Sequence, residues 1–313
     1  MIFSNYLFFC LLLVACSVVC ISGGRLFRFD YEYNTYIDGW LKLHVIPATW
    51  HDAWLRCDLE GSILASPINH HMKLAMDTYW KTKNINECAA YYTGISALFS
   101  KGDFFSIDGI SLAKMPVQWA PGEPDNSNNN EDCIVLTNGS IADINCSEIF
   151  PYMCFKKKTK DMIMTTCGTV DKEYKLEPLT GNCYKFHQVG KTWTRAFMTC
   201  AGEGGYLAVI NSQNEALHLK NLYDANFDKI APGVNKDVIH IGMHDWNEHG
   251  VWRTIHGLKI ADAGYAEWQQ GQPDNSSGQF CGAMFRNSKL DDFWCSGIAP
   301  FICEKSPDSL LEP

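Results

Sequence analysis

The 313-residue chain carries one pattern twice, and that repeat constrains its fold more than any other feature. Leu41-Lys42-Leu43-His44 is followed by Thr49-Trp50, Ala53, Cys57, Glu60-Gly61 and Leu64-Ala65. At the same offsets, Tyr184-Lys185-Phe186-His187 is followed by Thr192-Trp193, Ala196, Cys200, Glu203-Gly204 and Leu207-Ala208. The match resumes where Trp119 precedes Pro124 and Trp268 precedes Pro273. It closes with Cys133, Cys146 and Cys154 against Cys281, Cys295 and Cys303. The chain is therefore expected to fold as two copies of one unit, each large enough for its own core.

Local signals are the same in both copies. Trp50, Ala53, Trp54 and Cys57 fall at helical spacing behind Thr49, as do Trp193, Ala196, Phe197 and Cys200 behind Thr192, so each threonine is read as an N-cap. Ser212-x-x-Glu215 reads as a capping box opening another helix. The rest is short alternating stretches divided by Gly, Asn and Asp, as expected of small strands and long loops. Trp119 and Trp268 are expected in the core. The expected division is a leader over 1–23, a first domain over 27–156, a polar, lysine-rich linker over 157–166, a second domain over 167–305 and a tail over 306–313.

Compartment follows from the N-terminus. Leu7 to Val19 form an apolar run followed by small residues, Ser22, Gly23 and Gly24, which reads as a secretory signal peptide too short to span a bilayer. No membrane span is expected elsewhere. Eleven cysteines lie beyond the leader, and in an oxidising compartment disulfides are their default. Spacing leaves connectivity open. The repeat makes Cys57–Cys154, Cys133–Cys146, Cys200–Cys303 and Cys281–Cys295 the economical set, with Cys167–Cys183 as an added staple whose place in the first copy is taken by Trp40. Cys88 is left over. Sequons at Asn138 and Asn275 are expected to be glycosylated, and Asn145 to escape beside its cysteine. A net charge of −9 with scattered Lys and Arg argues against nucleic acid as a partner. His244 to His249 lacks the His-Glu-x-x-His spacing, and no Gly-x-Ser-x-Gly elbow occurs, so no enzyme is expected.

The paired cysteines, a tryptophan five residues before a Glx-Pro-Asp triplet, and an Asp three residues before a cysteine resemble the C-type lectin domain. The opening of the first copy, from Phe29-Asp30-Tyr31 through Gly39-Trp40 to Glu60-Gly61-Ser62 and Ser66-Pro67, resembles the immulectins, two-domain lectins of moths and butterflies. The fold so implied is α+β: two tandem domains, each with two helices, small antiparallel sheets and long disulfide-pinned loops. The function implied is secreted, hemolymph pattern recognition of microbial surface carbohydrate, such as lipopolysaccharide or galactose- and mannose-type glycans. Agglutination, blood-cell attachment and prophenoloxidase activation through immune proteases are implied with it. A calcium-independent protein-binding module of the same fold is the alternative.

The family's sugar site is a calcium ion held by side-chain oxygens, with two neighbouring sugar hydroxyls completing the shell. Each hydroxyl also needs one donor and one acceptor from the ligand side chains. By position, the first copy offers Glu123, Asp125, Glu131 and Asp143, with Ala142 at a lost ligand and no amide donor, so weak or no sugar binding is expected there. The second offers Gln272, Asp274, Gln279, Asp291 and Asp292, pairing amides with carboxylates, which implies a working site. Gln-Pro-Asp implies galactose-type ligands through the resemblance, whereas the reversed pair Gln279 and Asp291 restores mannose-type symmetry, so both sugars stay open. A second family calcium site is incomplete in both copies: Ala97, Lys101 and Asn126 stand in the first, and Asp245 stands with His249 and Phe280 in the second.

Overall fold

The computed structural model describes residues 27–83, 90–246, 248–274 and 278–312. The leader, Cys88 and the sequon at Asn275 lie outside the described residues.

The first half contains strands β1 (Glu32–Asn34), β2 (Gly39–Ala48), β3 (Ile63–Leu64), β4 (Ala90–Ser96), β5 (Phe105–Ser106), β6 (Cys133–Thr137), β7 (Ser140–Ile144) and β8 (Phe150–Lys157). Its helices are α1 (Trp50–Leu59) and α2 (His70–Thr82). The second half contains β9 (Lys175–Leu176), β10 (Cys183–Lys191), β11 (Tyr206–Leu207), β12 (Val238–His244), β13 (Arg253–Thr254), β14 (Cys281–Phe285), β15 (Leu290–Phe293) and β16 (Ala299–Lys305), with α3 (Trp193–Gly202) and α4 (Gln213–Asn226). Strand orders β1-β2-β8-β4-β6-β7 and β9-β10-β16-β12-β14-β15 are the same topology written twice. The sheets are mixed rather than purely antiparallel: β4 meets β8, and β12 meets β16, in parallel. Between β4 and β8 the chain must travel through the long loop and the β6–β7 hairpin before returning in the same direction, as a parallel neighbour requires.

Helix starts follow the sequence signals. Thr49 accepts from the Asp52 amide and Thr192 from the Arg195 amide. Ser212 accepts from the Glu215 amide, but the Glu215 carboxylate reaches one residue further back than in a regular capping box, to the Asn211 N–H at 2.9 Å. Trp50 and Trp193 are buried, each donating its indole N–H to a carbonyl of the adjacent central strand, Thr93 at 2.8 Å and Ile241 at 2.9 Å. Next in each strand stands a glycine, Gly94 or Gly242, where a Cβ would strike the carbonyl of Leu64 or Leu207. The close approach of β3 or β11 to the central strand forces the choice. Trp119 and Trp268 are half-buried against the cores, bridged to Ile141 and Leu290.

The repeated Lys-x-His and Glu-Gly signals resolve into one buried ionic cluster, built twice. Lys42 Nζ (2.9 Å) and His44 Nε2 (3.2 Å) meet the Glu60 carboxylate, whose side chain is fully buried. Lys185 (3.0 Å) and His187 (3.1 Å) meet Glu203 in the same way. A tyrosine hydroxyl donates to each carboxylate, Tyr31 at 2.8 Å and Tyr174 at 2.9 Å. Each histidine stacks flat on a ring of the neighbouring strand, Tyr152 or Phe301. Burial opposes ionisation of Glu60, yet the partner cations, His44 first, hold its pKa far below the carboxylate range; Glu203 is lowered for the same reasons.

Five disulfides join Cys57 to Cys154, Cys133 to Cys146, Cys167 to Cys183, Cys200 to Cys303 and Cys281 to Cys295. The first half keeps its N-terminal hairpin, β1 on β2, without a staple. Phe27, Tyr31, Tyr33 and Trp40 interlock there as an aromatic cluster with ring centroids 5.1 to 5.8 Å apart. The segment after Lys305 docks rather than trailing free. Leu310 is buried, its carbonyl accepts from the Phe29 N–H at 2.9 Å, and Arg28 donates to the Gly202 carbonyl at 2.7 Å, tying the halves together. Among the described residues no helix is long and apolar enough to cross a membrane.

Replacing Glu60 by Ala takes the carboxylate from the half-buried His44 and leaves Lys42 with Asp30 in its place. The substitution is expected to cost about 3 kcal/mol, read as a lower thermal or urea midpoint, whereas Asp52→Ala on the exposed face of α1 costs under about 1 kcal/mol.

Candidate functional site

In each half the loop after the half-buried tryptophan runs across the end of the last hairpin, and the hairpin supplies the remaining acids. Glu123, Asp125 and Glu131 lie on the first loop, and Asp143 on β7, opposite Ile134 of β6. Gln272, Asp274 and Gln279 lie on the second loop, and Asp291 and Asp292 on β15, opposite Ala283 and Gly282 of β14. Ala142 and Asp143 therefore hold the register places of Asp291 and Asp292. The Cys133–Cys146 and Cys281–Cys295 bridges pin the ends of both hairpins. The peptides Glu123-Pro124 and Gln272-Pro273 are cis.

The first site is a carboxylate cluster. Oxygens of Glu123, Asp125 and Asp143 lie within 4.8 Å of one another. Oxygen Oε2 of Glu123 and Oδ1 of Asp143 are buried without a hydrogen-bond partner among the described residues. Burial, then the neighbouring acids Asp143 and Asp125, push the Glu123 pKa upward. Glu131 is raised by desolvation and Asp125, and its carboxylate accepts from the Ser127 amide at 2.7 Å. The amide of Asn126 is spent within the loop: Nδ2 donates to Asn129 and Oδ1 accepts from the Glu131 N–H. Left-handed Asn126, Asn128 and Asn129 shape that loop, a conformation asparagine tolerates better than most residues.

The second site mixes charge with amides. The Asp274 amide donates to Asp292 Oδ1 (3.2 Å) and Gln272 Oε1 (2.9 Å). Oxygens Gln279 Oε1 and Asp291 Oδ1 are buried and unpartnered among the described residues. Burial first, then the charges of Asp292 and Asp274, push the Asp291 pKa up to about 7. Crowded carboxylates and buried oxygens without a partner among the described residues suit a hard cation with oxygen ligands, so the residues of both sites fit calcium.

Around these sites are residues whose roles the sequence left unassigned. Lys101 Nζ bridges the Asn129 carbonyl (2.8 Å) and the Asp132 carboxylate (3.1 Å), so an ammonium pins the first loop where the family would use a second calcium. At the matching place His249 Nδ1 lies 2.8 Å from the buried Asp245 carboxylate. Half-exposed Trp294 stands beside Gly278, whose Cβ would lie 3.5 Å from the indole Cδ1, so an aromatic surface borders the second site. Its position after the Asp pair, rather than after the triplet, hid it. Deeper in the same half, Glu215 and Glu304 are buried together. Burial and the charge of Glu215 push Glu304 up to about 8, and both carboxylates accept from tyrosines, Tyr184 and Tyr206. The signal available was Glu304 directly after the last cysteine, where the first copy has Phe155.

A family model described as the Lectin C-type domain matches residues 46–156 and again 189–305. The chain is 39% identical over 142 residues to a hemolymph lipopolysaccharide-binding protein of Periplaneta americana, a match covering 45% of this chain and 55% of that protein. It is 27% identical over 142 residues to C-type mannose receptor 2 of Homo sapiens, covering 44% and 9%. The chain thus spans about half of the insect relative and a small part of the receptor. Among solved structures, the mouse scavenger receptor C-type lectin carbohydrate-recognition domain is similar at 26% identity and a TM-score of 0.37, covering 44% of this chain and 97% of that one.

Two pH effects follow from the raised carboxyls. Asp291 and Glu304 have folded pKa values above their unfolded ones, so their contribution to stability is complete below the unfolded carboxyl range and lost as pH rises through 7 and 8. In chelator the protein is expected to melt at a higher temperature at pH 6 than at pH 8.5, by calorimetry. A calcium ion held by Asp291 would compete with its proton, so any calcium affinity at the second site, titrated calorimetrically, is expected to fall up to about ten-fold per pH unit below 7.

Proposed function

Because the chain belongs to the C-type lectin family, whose members bind carbohydrate rather than catalyse, we propose that it is a secreted, calcium-dependent lectin that recognises microbial surface glycans through its second site. The observation that carries this reading is a pair of buried acceptors without a partner among the described residues, Gln279 Oε1 and Asp291 Oδ1, with Asp291 crowded by the charges of Asp292 and Asp274. Calcium, when bound, supplies a positive centre with free coordination places for two neighbouring hydroxyls. This chain's residues do the rest. Gln272 with Asp274, and Gln279 with Asp291, each offer one amide donor and one carboxylate acceptor, so each hydroxyl can accept one hydrogen bond and donate another. Trp294 offers the apolar face of the sugar a ring to lie against.

At the first site Glu123, Asp125, Glu131 and Asp143 would hold calcium without an amide to donate to a hydroxyl. We assign it a calcium-clamp role with weak or no sugar binding. The cockroach relative is by name a hemolymph protein that binds lipopolysaccharide, which supports an extracellular setting and a bacterial glycolipid as ligand class. Agglutination, blood-cell attachment and protease recruitment would then require more than one sugar site per particle. Asn138, exposed in the β6–β7 turn, is a glycosylation site in this reading, together with Asn275.

The test is retention on immobilised galactose and mannose. Wild type is expected to bind in calcium and elute with chelator. Asp292→Ala should lose at least about 100-fold in affinity with an unchanged melting profile in chelator, since it removes both a ligand and the partner of the Asp274 amide. Binding that persists in excess chelator would replace the lectin reading with a calcium-independent protein-binding one.

A further inference from the structure

The first half carries an apolar groove at a place where the second half lays a tryptophan of its own over the matching wall. The groove, about 660 Å³, lies between α1 and the loop after β4, lined by Trp50, Trp54, Leu98, Phe99, Phe105 and Ile107 among others. Among the described residues no Lys or Arg lines it; His51 and Asp103 are the ionisable residues of that lining, and the Asp103 carboxylate accepts from the Ser100 hydroxyl at 2.7 Å. Its rim is exposed: Phe99 fully, Leu98 at 49% and Phe105 at 43%.

Strand register fixes the counterpart. β4 ends at Ser96 and β12 at His244, so Leu98 matches Trp246, and Trp50 and Trp54 match Trp193 and Phe197. In the second half Trp246 folds over the equivalent wall. It packs edge-on to Trp193 at 5.0 Å and flat on His244 at 4.6 Å, with Phe197 stacked on the far side of Trp193. There an aromatic ring from its own loop, half-exposed itself, covers part of that wall. In the first half Ser96 and Leu98 leave it open, and the next residue, Phe99, stands wholly in solvent.

We infer that this face joins two copies of the chain, the Phe99 ring of each entering the groove of the other. Plug and socket lie on the same patch, which makes it self-complementary about a two-fold axis, the requirement for an isologous dimer. Trp246 supplies the internal example of the ring that fits, and the lack of a cationic lining suits an uncharged aromatic. An exposed Phe beside an exposed Leu and a second exposed Phe is also costly to leave in water. The contact uses none of the residues assigned to calcium, so it pairs two chains and leaves the second site of each free.

Sedimentation of the full glycosylated chain in chelator, on serial dilution, tests it without sugar or calcium cross-linking. Wild type is expected to reach twice the monomer mass. Phe99→Asp is expected to weaken association at least about ten-fold. Leu98→Trp with Phe99→Asn recreates the second half's own plug and should be monomeric with an undiminished melting temperature, which separates lost docking from lost folding. A wild-type monomer at every concentration overturns the inference. So does a dimer that both variants leave within about ten-fold of its affinity, since some other surface or partner then explains the groove.

Discussion

A buried glutamate, used once in each half, is the constraint on which the rest of this architecture depends. Glu60 and Glu203 sit just past the ends of α1 and α3 and draw in a lysine and a histidine from the long N-terminal strand, and a tyrosine from the segment before it. A carboxylate taken out of water is tolerable only when its charge and lone pairs are met. Helix, strand and leading segment are therefore held in one relation, and the stacked histidines extend that hold to β8 and β16. The cysteines of α1 and α3 bond to the same two strands, so the cluster and the long disulfide clamp one joint from two sides.

That rigid frame lets the opposite end of each half be unstable by itself. The loops carry little regular structure, and their acids are pressed together: three carboxylates in the first half, and Asp274, Asp291 and Asp292 in the second. Crowded like charges and unpartnered buried oxygens cost folding energy and store affinity for a cation, since the ion relieves both at once. The copies spend this differently. The first has acids where the second has Gln272 and Gln279, and Ala142 where the second has Asp291. One set holds charge; the other also offers hydrogen-bond donors.

The halves also solve shared problems by different means. A disulfide staples the second N-terminal hairpin, while four aromatic rings hold the first. Glu304 and Glu215 occupy a core region where the first half places Phe155 and Met72. An ammonium, Lys101, braces one loop, and His249 against Asp245 braces the other. Divergence after duplication has kept the joint and varied what the joint supports.

Repetition at fixed offsets was enough, from sequence, for two domains, the helix starts at Thr49 and Thr192, and the grouping of acids around each Glx-Pro-Asp triplet, because those signals are local or occur twice. Three features required the folded chain. The parallel contacts of β4 with β8 and β12 with β16 join strands about 60 residues apart, and no local pattern encodes their direction. Trp294 comes beside Gly278 on the loop of the second candidate site, and Glu304 meets Glu215 from the far end of its half, so proximity alone gives them meaning. The open groove under Phe99 gains its meaning beside the matching wall that Trp246 partly covers in the other half. Residue types and spacing specify which chemistry a loop can perform; which groups are dehydrated together, and so which charges and rings are left wanting a partner, is decided only when distant segments pack.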